Sequence, residues 1–411
     1  MQGSIDVAVV GAGTAGSAVA LFLARAGHRV TVYERVATPG PVGAGISLQP
    51  TGQAVLAQLG LLGPILERAA RIDRLHVLRH QSKTLVDLHY HHVDPRWFGL
   101  GLHRGTLFET LYTAVTREPG VTVRTGAEIT GVTHDRDGLT VRGPDGPRGR
   151  HELLVVADGA VSELHASAGV PVKTGSFPFG ALWFVADDPG PTYRDLLYQV
   201  VRGARRMYGL LPTGRGPGSE RTVVSLYWSL AVDDHPRWLA DGLDAWKREV
   251  LTFDPRIGAL LDQITAPEQV LLARYRDVRM KRWHGDRIVF IGDAAHATSP
   301  QLGNGANLAL VDAFVLAGCL ADAPDVATAL PAYSRARRHH LGHYQRMSRL
   351  LTPLFQSRSG VLGWLRDRLM PLADRIGPAH RLMVKTMAGH ERGLVARRPL
   401  ALPPPPPPSP R

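Results

Sequence analysis

IDVAVVGAGTAGSAVALFLARAGHRVTVYE, residues 5–34, is the stretch that decides the fold. Residues 7–24 carry no charge and are nearly long enough to be taken for a membrane span. Three glycines interrupt that run and β-branched residues crowd its start, so it divides into a buried strand at 5–10, a tight turn at 11–16 and a helix at 17–26. Within the turn Gly11 reverses the chain, Gly13 lets a pyrophosphate approach the backbone, and Gly16 lets the helix pack close to the strand. A second strand, Arg29–Tyr33, ends in Glu34, 18 residues after Gly16, where a carboxylate can accept the hydroxyls of an adenosine ribose. A lone GxGxxG is weak; strand, turn, helix, strand and terminal acid in this order predict a parallel α/β sheet carrying a dinucleotide.

A second stretch, RIVFIGDAAHATSPQLGNGANLALVD at 287–312, repeats the logic near the other end of the chain. An apolar strand at 288–291 delivers Asp293 to a polar loop with Pro300, and a Gly-Asn-Gly-Ala-Asn turn opens a helix. Gly303 and Gly305 allow close backbone approach, and the N–H groups of the helix start favour negative charge. The chain's only two asparagines, Asn304 and Asn307, both lie in this turn.

At 411 residues and 44% apolar composition the chain can form two joined domains. The net charge of +12 arises from 48 basic and 36 acidic residues, only five of the basic ones lysine. The arginines are spread throughout, without an aromatic-interleaved basic patch, which argues against nucleic acid. The single cysteine, Cys319, excludes a disulfide framework and reads as a small buried hydrophobe. The start, MQGSIDVAVV, lacks a basic n-region, so a cytoplasmic protein is expected. His89, His91 and His92 cluster without a carboxylate or cysteine at ligand spacing, and no metal is expected.

Between these stretches, residues 39–50 are too rich in glycine and proline to form an element and are expected as a loop over the ligand. Helices are expected at 51–59 and 64–70, and a hairpin at 74–90 with its turn at 81–83. His103 and Arg104 start a helix carrying Leu107, Leu111 and Val115 on one face; an arginine there opposes the helix dipole unless a phosphate partners it. Strands at 121–124, 128–133, 139–142 and 153–156 suggest a meander returning to the main sheet, ending in Asp158 and Gly159. Residues 172–282 alternate and are rich in aromatics, as in an antiparallel sheet, with helices at 242–251 and 257–264; Leu210 and Trp228 are expected to line a substrate pocket. Helices should follow to 320, at 332–351 and within 353–395, before a disordered polyproline end at 403–408.

GAGTAG at 11–16, ADGAVS at 157–162 and GDAAHATSPQLGNGANLALVDA at 292–313 together resemble the three ordered motifs of the group A FAD-dependent monooxygenases, the p-hydroxybenzoate hydroxylase-like fold. PVGAGISLQP at 41–50 is similar to the salicylate hydroxylase branch, and the likeness covers about the first 350 residues. It implies an α/β fold with a Rossmann-type FAD-binding domain at 1–73, 100–171 and 283–350. A substrate-binding β-sheet domain would occupy 74–99 and 172–282, followed by C-terminal helices at 351–398 and a Pro-rich tail at 399–411.

The resemblance implies FAD with its pyrophosphate at Gly11, Gly13, Ala15 and Gly16, ribose on Glu34, and Arg35 and Ala127 near the adenosine. It places Arg104 against the pyrophosphate and Asp293 on the ribityl hydroxyls. Ser47 and the backbone of Gly303, Gly305, Ala306 and Asn307 would surround the flavin. Asp158 and Gly159 would assist NADPH or NADH, which would bind transiently because no second GxGxxG exists. Three positions depart from the family pattern: His165 stands where arginine is usual, Asn304 where glutamine is common, and Val311 where an acid is frequent.

The implied chemistry is reduction of flavin by NAD(P)H, addition of O2 to give a C4a-hydroperoxide, and hydroxylation of an aromatic or unsaturated, polyketide-like molecule. His296 and Pro300 are expected near the reactive edge, with Tyr208 or Ser47 as base for a phenol. Epoxidation, Baeyer–Villiger oxidation, a flavin-dependent reductase and a non-redox cyclase on an FAD scaffold are the alternatives. Substrate, nicotinamide choice and oligomeric state stay open at this level.

Overall fold

The computed structural model describes residues 3–80, 83–166, 169–188, 190, 193–393 and 402. A five-stranded parallel sheet runs in the order Ile288–Phe290, Leu153–Val156, Asp6–Val10, Arg29–Tyr33, Val121–Arg124. Leu153–Val156 and Ile288–Phe290 are buried on both faces, which is why they are unbroken apolar runs. Helices Thr14–Arg25, Arg104–Arg117 and Gly305–Asp322 pack around it. The first begins three residues earlier than the expected 17, so the end of the glycine turn is already helical.

Val121–Arg124 is an edge of this parallel sheet and not part of the expected meander. The meander is a separate three-stranded sheet of Gly131–His134, Leu139–Gly143 and Gly146–His151. Its last strand, GPRGRH, has no apolar alternation to announce it.

The second sheet has nine strands, ordered Leu271–Ala273, Phe179–Asp187, Thr222–Ala231, Arg206–Arg215, Asp195–Arg202, Ala70–Arg79, Gly99–His103, Gly45–Leu48, with Lys83–His89 also paired to Ala70–Arg79. It therefore draws strands from outside 74–99 and 172–282. Gly45–Leu48 corrects the expectation of an irregular loop: a Cβ at Gly45 would lie 2.6 Å from Ser225 Oγ, and the Gly45 N–H donates to that oxygen at 2.9 Å. Only glycine lets this edge strand lie flat against the sheet. The helix expected at 64–70 is Leu62–Arg68, since Ala70 already begins a strand. Gln81 and Ser82, in the expected hairpin turn, lie outside the described residues, as does the 403–408 polyproline.

Each face of the large sheet has its own cover. One packs Tyr208, Leu210 and Trp228 against helix His235–Leu251, through Trp238 and Trp246, and against residues 253–270. That helix starts before the expected 242 and breaks at Gly242, where φ is +79°. The other face packs Met207, Leu211 and Tyr227 against Phe355, Val384 and Met387. These come from helices Val326–Phe355 and Gly377–Met387, with Gly360–Arg375 between them. Gly305–Asp322 is long and apolar enough to cross a membrane, but it packs between Thr14–Arg25 and Val326–Phe355 and buries a charged side chain, Asp312. Cys319 on it is half-buried, and burial pushes its thiol pKa up.

Candidate active site

The first glycine turn is shaped by backbone contact. Gly11 has φ +96°, and a Cβ there would sit 2.5 Å from the Ala157 carbonyl oxygen; a Cβ on Gly16 would sit 1.9 Å from the Gly11 carbonyl oxygen. A Cβ on Gly13 would meet no protein atom. Gly13 is also the N-cap of Thr14–Arg25, a helix start without a side-chain cap or an acid in its first turn. Its N–H groups are thus left for an anion. Glu34 stands beside it, one carboxylate oxygen accepting the Ala12 N–H and the other the Val36 N–H, both at 2.9 Å. Two acceptors with further lone pairs remain for hydroxyls. The Ala127 N–H bonds the Glu34 carbonyl at 2.8 Å, and Arg35 is exposed beyond it.

Arg104 begins its helix with the side chain exposed and laid along Gly43, its Cδ 3.2 Å from where a Cβ would stand. Gly43 has φ +104°. Asp158 follows strand Leu153–Val156 with one carboxylate oxygen buried and unpartnered, and burial raises its pKa. His165 sits at hydrogen-bond distance from the Ala294 carbonyl (2.7 Å) and stacks on Phe290, tying this motif to the 292–296 turn.

That turn corrects one expectation. Asp293 is exposed, but the His296 ring is buried, its Nε2 2.5 Å from Asp312 Oδ2. Asp312 also accepts the Gly292 N–H at 2.8 Å and Arg337 Nε at 2.7 Å, and Arg337 contacts His340, whose other nitrogen meets the Gly389 carbonyl at 2.8 Å. His296 therefore belongs to a buried network around Asp312 and Arg337 and is not open to solvent, contrary to what a residue at an open reactive edge would show. Sequence reasoning missed Asp312, Arg337 and His340. The available signal was Asp312 itself, the one acid in the interior of an apolar helix.

The asparagines act through their side chains on the scaffold. Asn307 Oδ1 accepts the Gln49 N–H at 2.7 Å, while its Nδ2 donates to the Ser47 carbonyl at 3.0 Å and the Gly303 carbonyl at 3.3 Å. Ser47 is thereby fixed against Gly303, which is left-handed at φ +61°. Asn304 donates to the carbonyls of Leu302, Thr386 and Met387, leaving the helix start after it uncapped. Gly305 and Pro300 are exposed beside it and Ala306 is half-buried.

The residues expected to line the substrate pocket lie on one face of the large sheet, together with Tyr208. Tyr208, Leu210 and Trp228 point into the cluster under helix His235–Leu251, away from Gly45–Leu48. Their neighbours Leu211, Ser225 and Tyr227 point the other way, and Ser225 touches Gly45 directly. Side chains alternate along a strand, so a step of one exchanges the faces. Tyr208 is fully buried with its hydroxyl unpartnered, and burial pushes its pKa well up, so it is no base for a substrate. On the opposite face the Tyr227 ring lies over Gly209 with its buried hydroxyl towards Gln199, and Trp183 stands 5.0 Å away between ring centroids.

The family profile described as "FAD binding domain" matches residues 4–346. The chain belongs to this FAD-binding family. It is 32% identical over 381 residues to the 3-amino-4-hydroxybenzoate 2-monooxygenase PtmB3 of Streptomyces platensis, covering 90% of this chain and 93% of that protein. It is 28% identical over 352 residues to a 3-hydroxybenzoate 6-hydroxylase of Klebsiella oxytoca, covering 80% and 83%. The structure of Klebsiella pneumoniae HpxO with FAD and uric acid shares the fold, with a TM-score of 0.79 at 21% identity over 95% of this chain and 98% of that one.

This protein is an FAD-dependent monooxygenase, and its geometry fits the cofactor. Space lies over Gly13, the starts of Thr14–Arg25 and Gly305–Asp322 lack side-chain caps, and Glu34 and Asp293 present acceptors able to take the hydroxyls of a dinucleotide. The unpaired oxygen of Asp158 is a further group that a bound ligand can satisfy.

Proposed function

We propose that this flavoprotein hydroxylates a small aromatic or polyketide-like molecule with NAD(P)H and O2. The observation that carries the reading is the junction made by Asn307: it locks Ser47 to Gly303 on the edge of the nine-stranded sheet whose inner face bears Tyr227 and Trp183. FAD, when bound, supplies hydride acceptance and oxygen activation. The chain's residues do the rest. Gly11, Gly13, Ala15, Gly16 and Arg104 hold the pyrophosphate, Glu34, Arg35 and Ala127 the adenosine, and Asp293 the ribityl chain. The N–H groups after Asn304 offer positive potential to the flavin edge. The inner sheet face, with Phe355 and Met387 above it, excludes water from the substrate. Tyr227 replaces Tyr208 as the tyrosine able to touch substrate; Ser47 and Pro300 stay at the junction.

The test is direct. The purified protein should be yellow, and NADPH or NADH under nitrogen should bleach its visible band, faster with a suitable phenol. With labelled O2 one labelled oxygen should enter the product. An FAD-loaded protein that neither nicotinamide reduces, with or without phenols, would sink the reading.

A further inference from the structure

The helix Gly360–Arg375 is built inside out. Its exposed side carries Val361, Trp364, Leu365, Leu369 and Leu372, and Ile376 continues the stripe. These positions recur at helical spacing and form one ridge, with Val361 73% and Trp364 56% exposed. The buried side carries Gly363 and Arg366.

Polar contacts hold that rotation. Gly363 lies on the Gly203–Ala204 backbone, where a Cβ would come within 2.8 Å of the Ala204 nitrogen. Arg366 donates to the Gly203 and Leu354 carbonyls, both at 3.0 Å, and to Asp367 at 2.6 Å. Asp374 accepts the Asp87 N–H at 3.1 Å and meets His380 at 2.8 Å. Turning the ridge inward would break all of these and strip Arg366 of its acceptors.

Cations flank the ridge. A cavity of about 500 Å³ beside it is lined by Arg79, Lys83, Arg368, Arg375 and Leu372, with Asp367 its one acid, 3.9 Å from Arg79. The Arg368 guanidinium lies 4.9 Å over the Trp364 ring, pairing an amphipathic aromatic with a charge at the ridge border. An apolar ridge with Trp, bordered by arginines, has the composition of an interfacial helix.

We propose that this face docks on an anionic lipid bilayer, the ridge entering the interface and the four cations meeting headgroup phosphates. A second copy fits less well, because a two-fold contact across the ridge would bring like cations together. The inner side of the same helix contributes Met370 to the cluster over the inner sheet face, so docking would place the bilayer on that side of the molecule. The docking does not depend on the proposed chemistry.

The experiment is co-sedimentation of the FAD-loaded full chain with phosphatidylcholine vesicles, with and without about 30 mol % phosphatidylglycerol. The expected result is sedimentation with the anionic vesicles only, weakened by salt. Leu369→Asp with Leu372→Asp should cut that binding at least about tenfold, with flavin absorbance and thermal unfolding unchanged because both side chains are already exposed. Arg368→Glu with Arg375→Glu should also weaken it. Equal binding to neutral vesicles, no binding to either, or full binding by the leucine variant overturns the proposal. So does a wild-type dimer that the leucine variant converts to monomer without any vesicle binding.

Discussion

His296 Nε2 and Asp312 Oδ2 stand 2.5 Å apart with both side chains buried, and through this contact one carboxylate joins two parts of the site. Asp312 holds the Gly292 N–H next to Asp293, and it rides on the helix that begins at Gly305. Burial by itself would raise its pKa; His296 and Arg337 overcome that and hold the carboxyl well below the usual carboxylate range. A depressed folded pKa means stability present above the unfolded value and lost as pH falls through the folded one.

Asp312→Asn should therefore be costly. It leaves the buried Arg337 guanidinium without its counter-ion, a loss of about 3–5 kcal/mol by analogy with other broken buried pairs. Denaturant unfolding of the FAD-free protein measures this, and FAD titration should show weaker binding. An unchanged unfolding midpoint would refute the role given to the network.

Gly13→Ala and Gly16→Ala separate ligand space from packing space. At Gly16 the new methyl collides with the Gly11 carbonyl, so stability should fall by about 1–3 kcal/mol or more. At Gly13 it meets no protein atom. That variant should melt like wild type without FAD and bind FAD at least about tenfold more weakly, since it obstructs a close approach. Equal FAD affinity in Gly13→Ala would remove the pyrophosphate from this turn.

Tyr208→Phe and Tyr227→Phe test the face assignment. Both hydroxyls are buried, that of Tyr208 without a partner and that of Tyr227 towards Gln199, so Tyr208→Phe should be near neutral and Tyr227→Phe should cost about 0.5–1.5 kcal/mol. Tyr227→Phe should raise KM in substrate-stimulated nicotinamide oxidation, and Tyr208→Phe should leave it alone. The reverse outcome would put the substrate under helix His235–Leu251.

His390 stacks on Trp97 with centroids 4.5 Å apart, and burial lowers its pKa from 6.5 to about 4, against an opposing pull from Asp94. Below pH 6.5 the unfolded chain takes up a proton that the folded chain refuses, so stability falls as pH drops towards 4 and then levels. The loss is on the order of 3 kcal/mol. His390→Phe keeps a stacked ring and should flatten this part of the stability–pH curve measured by urea unfolding. A curve with the same slope would show that another group is responsible.

Much of this molecule was legible in its residues because the relevant constraints are local. The positive φ of Gly11, the contact between Gly16 and the Gly11 carbonyl, and Glu34 at the end of its strand all follow from short-range backbone geometry written into a few positions. The apolar parallel strands declare themselves for the same reason.

Direction and partnership were decided by the tertiary structure. The sheet strands are apolar on both faces, so alternation separates neighbours along each strand, and only the pairing of Tyr208 with Trp228 puts Tyr227 on the opposite face, the one that looks towards Gly45. His296 has the polarity of a site residue, and only packing against Asp312, 16 residues away in sequence, shows it to be scaffold. The ridge of Gly360–Arg375 is likewise ambiguous as a sequence, since an apolar stripe normally turns inward; contacts to Gly203, Leu354 and Asp87 turn it out. Residue order fixes what each segment can form, whereas the competition among distant segments for the same buried space fixes what each side chain meets.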